Sequence, residues 1–110
     1  MLVKVCMRRK IKEGNLRNVF VLIRKIRAMA MNQQGYISGE TLVDYNNPQG
    51  TLVIGTWQSM EDWMNWKENQ LRKEIEVQLE ELLDEPTEYE VFVYSKHHLK
   101  ITGDSSLGST

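Results

Sequence analysis

The sequence predicts a single α+β domain, in which an antiparallel four-stranded sheet and two helices follow in the order β-α-β-β-α-β. Three observations lead to this prediction. Two long segments, one before Gly35 and one before Pro86, carry apolar residues at helical spacing. Four short segments are rich in β-branched and aromatic residues, as strands are. Residues 46–50 (NNPQG) have turn chemistry and join the second strand to the third as a hairpin.

The first strand is predicted at residues 2–9, where two apolar sets alternate. Asn15 is placed to cap the helix that follows. This first helix should end near Asn32, before Gly35. Its apolar stripe recurs at helical spacing and consists of Leu16, Val19, Phe20, Ile23, Ile26 and Ala30.

The second strand is predicted at residues 36–45 and the third at residues 51–57. The second helix then begins at a well-marked junction. Ser59 can accept a hydrogen bond from the free amides of the first turn, and Asp62 holds the capping-box position three residues later. Glu61 and Asp62 also bring negative charge to the positive end of the helix dipole.

The second helix is predicted to continue as far as Pro86, which ends it. Four polar residues at 67–70 indicate a break within it, and the apolar stripe beyond them consists of Leu71, Ile75, Leu79 and Leu82. Residues 89–94 (YEVFVY) form the fourth strand. Because the pattern stops there, the domain is predicted to span residues 1–95. The tail at residues 96–110 suits a flexible end or a segment that packs on a partner.

This order of elements is the signature of the ferredoxin-like split βαβ unit, which carries both helices on one face of its sheet. The first and fourth strands are nevertheless apolar on both faces. Leu2 and Cys6 alternate with Val3 and Val5, and Phe92 and Tyr94 alternate with Val91 and Val93. An apolar sheet face that is open to water requires a cover. In a chain of this length the natural cover is a second copy, arranged as a two-fold dimer. We therefore expect a homodimer.

Charge is distributed unevenly along the chain, although the net charge is only −1. Residues 1–27 hold nine of the fourteen Lys and Arg residues and a single acid, Glu13, whereas residues 74–90 hold eight acids and no base. A basic face for nucleic acid would explain this split. The acidic pI instead favours a basic first helix packed beside an acidic second one. The basic run at residues 8–10 is expected to be solvated, and no nucleic-acid partner is expected.

Several classes of protein and site are not indicated by the sequence. It contains no run of about 18 apolar residues, so no membrane span is expected, and it begins in a mixed strand rather than a signal peptide. The single cysteine, Cys6, allows no internal disulfide and suits a cytoplasmic protein. His97 and His98 are neighbours that point to opposite sides, so no metal site is expected there. Motifs for nucleotide cofactors, zinc chemistry and serine nucleophiles do not occur.

Two stretches resemble the antibiotic biosynthesis monooxygenase (ABM) domain. Residues 35–42 (GYISGETL) have the glycine-aromatic start that the second strand has in this family. Residues 55–62 (GTWQSMED) have the tryptophan that ends the third strand, followed by Ser and acids that open the helix. The resemblance covers residues 1–95. It implies a dimeric α+β barrel, in which two ferredoxin-like sheets pack face to face and each subunit has a small-molecule pocket between its helices and sheet.

The family resemblance leaves more than one activity open, because a fold does not select among them. Members include cofactor-independent monooxygenases of polyaromatic anthrone or quinol-type compounds, and haem-degrading enzymes. The haem-degrading members use an Asn on the first strand, a Trp in the second helix and an iron-ligating His further along. Trp66 matches the tryptophan, but the histidine position falls on Glu76 and the asparagine position near Met7. We therefore expect neither haem nor another cofactor.

A cofactor-independent monooxygenase needs less from the protein, because the substrate supplies the electrons. The catalytic candidates are Trp66, which matches a functional position of the family, Glu76, which can serve as a base if it is buried, and Asn65, which can donate a hydrogen bond. The candidates for binding a flat ring are Trp57, Trp63, Tyr36, Met64 and Met7.

Structural alternatives to these roles are favoured at three positions. Trp57 and Trp63 suit core packing, and Glu76 suits a solvated position in an acid-rich helix. The sequence is thus interpreted as an ABM-type monooxygenase of an aromatic or quinone-like molecule. The alternative is a non-catalytic small-molecule-binding or stress-related dimer that uses the same pocket.

Overall fold

The computed structural model describes residues 1–95, so the predicted tail at residues 96–110, with His97 and His98, lies outside the described residues. Residues 1–95 contain four strands, β1 (Val3–Lys10), β2 (Tyr36–Val43), β3 (Gly50–Trp57) and β4 (Glu88–Val93). The helices are α1 (Leu16–Ala30), α2 (Met60–Lys67) and α3 (Gln70–Glu80). None of the helices in this part of the chain is long and apolar enough to span a membrane.

The strands form one antiparallel sheet in the order β2-β3-β1-β4. This topology confirms the predicted ferredoxin-like α+β fold, in which β1 and β3 pair at the centre. The strand bounds agree with the predicted ones to within two residues. β2 ends earlier than predicted because the Asp44 carboxylate accepts from the backbone amide of Asn46 at 2.8 Å and thereby begins the hairpin turn.

The predicted second helix consists of two helices, α2 and α3, with the break at the expected place. Asn69 caps α3, because its side-chain oxygen accepts from the backbone amides of Leu71 at 2.9 Å and Arg72 at 3.2 Å. The new start changes which face is buried, so that Leu71, predicted on the apolar stripe, is 59% exposed. The buried face of α3 consists instead of Arg72, Ile75, Glu76 and Leu79.

Of the helix caps predicted at Asn15 and Ser59, the structure confirms only the second. At α2, the Ser59 hydroxyl accepts from the backbone amide of Asp62 at 3.1 Å, which confirms the predicted cap. At α1, Asn15 holds the N-cap position, but its side chain donates to the Glu13 carbonyl and makes no capping hydrogen bond. The apolar stripe of α1 is confirmed, since its buried residues are Val19, Ile23 and Ala30.

Alternation along the strands divides the sheet into a face covered by the helices and an open face. On the open face, the side chains of Leu42 and Phe92 are each about half exposed. Apolar side chains are therefore present on the open face as predicted, together with the charged pair Arg8–Glu90. The core on the covered face includes Val3, Val5, Met7, Val53 and Trp57.

The basic first part of the chain and its acidic later part form ion pairs at β1 rather than between the helices. α1 packs beside α3, as predicted. Among residues 1–95, however, no ion pair joins these two helices. The acids of the later part of the chain meet three consecutive basic residues of β1 instead, in the pairs Arg8–Glu90, Arg9–Glu76 and Lys10–Glu85.

Candidate functional site

A cavity lies between the sheet and the helices, where the resemblance implies a pocket. Its volume is about 50 Å³, or about 460 Å³ when the mouth that opens to solvent is included. Its apolar lining comes from α1 and the sheet and includes Ile23, Ile26, Ala30, Met7 and Val53.

Four aromatic side chains line this cavity, and we call them the aromatic wall: Tyr36, Trp57, Trp63 and Trp66. Each tryptophan is at most 3% exposed. Tyr36 meets Trp57 edge to face with ring centroids 5.3 Å apart, and the centroids of Trp57 and Trp63 are 6.1 Å apart. The fold thus brings together all four aromatic residues singled out from the sequence, with Met7 beside them.

Two members of the aromatic wall lie on the inner face of α2. Two other residues that were predicted to line the pocket lie on its outer face. Trp63 and Trp66 are three residues apart, which places them on one side of the helix. Met64 and Asn65 lie between them and point away, so both are exposed and neither lines the cavity. The prediction that Met64 and Asn65 face the pocket is therefore wrong.

A β-bulge at the start of β2 determines how that strand meets the cavity. Tyr36 pairs with Trp57 and Ser38 pairs with the preceding residue of β3, so Ile37 is the extra residue. Without the bulge, residues three apart would lie on opposite faces of the strand. With it, Tyr36 and Gly39 both line the cavity.

Three charged side chains that also line the cavity form a buried charge cluster: Arg9 of β1 and Arg72 and Glu76 of α3. They are 4%, 3% and 9% exposed, respectively. Oε1 of Glu76 accepts from Nη2 of Arg9 at 3.0 Å and from Nη2 of Arg72 at 3.2 Å. The solvated positions favoured for Glu76 and for the basic run of β1 are therefore wrong for Glu76 and Arg9.

A sequence signal for this cluster exists. Arg9 continues the alternation of Val5 and Met7, so an arginine holds a position on the covered face of β1. On α3, Arg72 and Glu76 are one turn apart and share a face with the buried Ile75. The three basic residues at 8–10 suggest a solvated strand end only if they are treated as one group. Side chains alternate along a strand, so Arg9 points to the opposite face from Arg8 and Lys10.

The buried charge cluster has an excess of positive charge, because two guanidiniums share one carboxylate. Both hydrogen bonds that this carboxylate receives from residues 1–95 go to Oε1. Arg72 also donates to Oη of Tyr89 at 3.2 Å, and Nε of Arg9 donates to the Thr87 hydroxyl at 3.1 Å. Nε of Arg72 is buried and has no hydrogen-bond partner in the described part of the chain. A buried donor of this kind costs about 1–3 kcal/mol unless something accepts from it.

A third arginine, Arg27 of α1, lines the cavity beside Gly39. Its Nη2 donates to the Thr41 hydroxyl at 2.6 Å. A Cβ at position 39 would lie 2.7 Å from Oη of Tyr36 and 2.9 Å from Nε of Arg27. Glycine at this position therefore leaves room for two polar groups at the cavity wall.

The cavity combines an aromatic surface, guanidinium donors and one carboxylate. Within residues 1–95, no group of three or more His, Cys, Asp or Glu side chains is arranged to hold a metal ion. The groups that are present can hold a flat molecule and stabilise negative charge on it.

Comparison with known proteins bears on the fold. The sequence matches no protein-family model and no curated protein. Among solved structures, a conserved protein of Methanosarcina mazei Go1 matches with a TM-score of 0.79 at 18% identity, over 84% of this chain and 91% of that one. SnoaB, a cofactor-independent oxygenase from Streptomyces nogalater, matches with a TM-score of 0.77 at 14% identity, over 84% of this chain and 92% of SnoaB.

A protein of Nitrosomonas europaea assigned to the antibiotic biosynthesis monooxygenases also matches. Its TM-score is 0.79 at 11% identity, over 84% of this chain and 89% of that one. At such identities the likeness concerns the three-dimensional fold. This chain has the fold of the antibiotic biosynthesis monooxygenase proteins, as its sequence resemblance implies.

Proposed function

We propose that this chain is a small ABM-type monooxygenase that oxidises an aromatic or quinone-like molecule without a cofactor, in the cavity between helices and sheet. The observation that carries the proposal is the aromatic wall of the cavity, which is bordered by buried guanidiniums. Flat rings stack on such surfaces, and a few polar groups orient them. SnoaB, which has the same fold, is a cofactor-independent oxygenase.

The reaction requires no redox group from the protein, because an electron-rich ring supplies every electron that O₂ gains. In the overall step a ring CH₂ and O₂ give a ring C=O and water. The tasks left to the protein are to hold the ring, to take the first proton and to stabilise the resulting anion. The guanidiniums of Arg9 and Arg72 border the cavity and suit the last of these tasks.

Trp66 and Glu76 are the catalytic residues that we propose. Trp66 is 3% exposed, lines the cavity and would contact the ring of the substrate. Glu76 is the only carboxylate among the described residues that line the cavity. Since its Oε1 holds both guanidiniums, Oε2 is the oxygen that we assign to receiving a substrate proton.

The second candidate function is a non-catalytic small-molecule-binding or stress-related dimer. It is favoured by the pairing of Glu76 with two arginines, which occupies the carboxylate that would otherwise act as the base. Oxygen uptake with a panel of anthrones separates the two candidates. We expect uptake without added flavin, haem or metal; ligand binding without uptake by any anthrone would favour the second candidate.

A haem-degrading function has the least support. The position of the iron-ligating histidine falls on Glu76, whose carboxylate holds two arginines. The position of the first-strand asparagine falls near Met7, an apolar residue of the cavity wall.

We also propose that the chain acts as a homodimer in the cytoplasm. The support for the dimer is the open sheet face, where Leu42 is 48% and Phe92 49% exposed. Apolar patches of this kind mark interaction surfaces, and a second copy can cover one through a two-fold axis. The support for the cytoplasm is the free, buried thiol of Cys6, since thiols stay reduced there.

A further inference from the structure

We propose that the ligand of this cavity is a planar aromatic carboxylate, whose charge pairs with Arg72 while its ring lies against the aromatic wall. This inference rests on the proposed function, because it names the substrate class of the same cavity. Three features of the cavity wall carry it: its charge balance, an unused hydrogen-bond donor, and the position of that donor beside a tryptophan ring.

The charge balance of the cavity wall is positive. Arg9, Arg27 and Arg72 line the cavity, and Glu76 is the only carboxylate among the described residues that do so. Burial of a charge is costly unless an opposite charge pairs with it, and Arg9 and Arg72 are at most 4% exposed. One ligand carboxylate would bring the cluster of Arg9, Arg72 and Glu76 to neutrality.

Arg72 has a donor that the described part of the chain leaves unused. Its Nη2 donates to Glu76 and Tyr89, and its Nη1 donates to the Lys67 carbonyl at 3.4 Å. Its Nε, in contrast, is buried without a hydrogen-bond partner among these residues. Hydrogen bonds between guanidinium and carboxylate are among the strongest in proteins. A ligand carboxylate is therefore the acceptor that best completes this side chain.

The position of Arg72 links the charge to the aromatic wall. Its guanidinium carbon lies 5.3 Å from the ring centroid of Trp63. A ring that contacts Trp63 thus brings its own substituent within reach of Arg72. An inorganic anion would interact only with the charge of Arg72, and a neutral aromatic ring would contact only the aromatic wall.

Arg72 and Glu76 also explain the orientation that we propose. Both residues line the cavity and a separate, open surface groove of about 480 Å³. The pair therefore separates the interior from the surface on this side. A ligand bound with its ring inward would keep its carboxylate at this partition, so that the charge need not cross the aromatic wall.

Isothermal titration calorimetry on the full chain tests the inference with a matched pair of probes, 2-naphthoate and neutral 2-naphthamide. We expect naphthoate to bind about tenfold or more tightly than the amide, because a hydrogen bond to a charged group is worth that much. Acetate, which has the charge without the ring, should show no measurable binding.

Two variants with opposite expected effects locate the anion site. Arg72→Gln should reduce the preference for naphthoate to within about twofold, since it removes the charge-assisted hydrogen bond. Glu76→Gln should raise the affinity for naphthoate, because it removes the carboxylate that competes for the guanidiniums. Arg24→Gln removes one positive charge from the exposed face of α1 and should keep the native preference. Circular dichroism confirms that each variant is folded.

The outcomes separate this inference from the proposed function. Equal binding of naphthoate and naphthamide by the native chain would contradict the proposal of an anionic ligand but would still support an aromatic pocket. Failure of both aromatic probes to bind would overturn the pocket as well. If either variant does not fold, the comparison of the two probes on the native chain still decides. A Glu76→Gln variant with weaker naphthoate binding would contradict the proposed pairing.

Discussion

The guanidinium of Arg72 lies over the ring of Trp63, with its central carbon 5.3 Å from the ring centroid, and the same guanidinium donates to Glu76 one turn further along α3. A cation gains most from an aromatic face where water is excluded, and both side chains are 3% exposed. The contact holds α2 against α3 across the break between them. It also joins the two halves of the candidate site, the aromatic wall and the buried charge cluster.

Replacement of Glu76 by alanine will destabilise the fold strongly. It leaves the guanidiniums of Arg9 and Arg72 buried without a carboxylate, and loss of one partner of a buried ion pair costs about 3–5 kcal/mol. Urea unfolding followed by tryptophan fluorescence measures the change in the free energy of unfolding. Glu68→Ala is the matched control, because Glu68 pairs with Lys73 at 2.8 Å on the exposed surface of the protein. The control should stay close to the native stability, and equal losses in the two variants would contradict this account.

Replacement of Gly35 by alanine will destabilise the start of β2 for two reasons. Its φ of +85° lies in the left-handed region, and a Cβ there would clash with Oδ2 of Asp62. We expect a loss of more than about 2 kcal/mol, of which the backbone conformation accounts for about 1–2 kcal/mol.

The two causes can be separated by a double-mutant cycle. Asp62→Ala removes the carboxylate that a Cβ at position 35 would meet. In that background, Gly35→Ala should cost only the backbone part. Urea unfolding of the native chain, both single variants and the double variant gives the coupling, and strictly additive losses would show that the clash with Asp62 is relieved without cost.

Replacement of Trp66 by phenylalanine will slow oxygen uptake about tenfold or more while the fold is retained. Phenylalanine keeps an apolar contact but withdraws part of the aromatic wall that positions the substrate ring. Asn65→Ala on the exposed outer face of α2 is the control and should keep the native rate. Oxygen-electrode rates with the anthrone panel, with circular dichroism as the check of folding, measure the difference. An unchanged rate in the Trp66 variant would remove this residue from the proposed site.

Replacement of Phe92 by glutamate will dissociate the proposed homodimer. A two-fold interface would bury this charge twice and would remove an aromatic ring from the open sheet face. Native mass spectrometry should show a dimer for the native chain and a monomer for the variant. Val21→Glu places the same charge on α1, where Val21 is 48% exposed, and should leave the dimer intact. A monomeric native chain would contradict the dimer proposal itself.

The order of the elements, their approximate bounds and the resemblance in fold could all be predicted from the sequence. Strands and helices can be recognised from side-chain periods of 2 and 3.6 residues, which are local properties of the chain. The same periods place Trp63 and Trp66 together on one face of α2. They also exclude Met64 and Asn65 from that face, although helix geometry has to be applied residue by residue to see it.

The buried charge cluster was decided by the tertiary structure. Arg9 and Glu76 are 67 positions apart, and their pairing requires β1 and α3 to meet across the cavity. The bulge at Ile37 and the new start of α3 at Asn69 likewise change which side chains face inward. From a local pattern alone, a single arginine or glutamate is predicted to be exposed to solvent, because burial of an unpaired charge is costly. Only the fold supplies the opposite charge that makes burial tolerable.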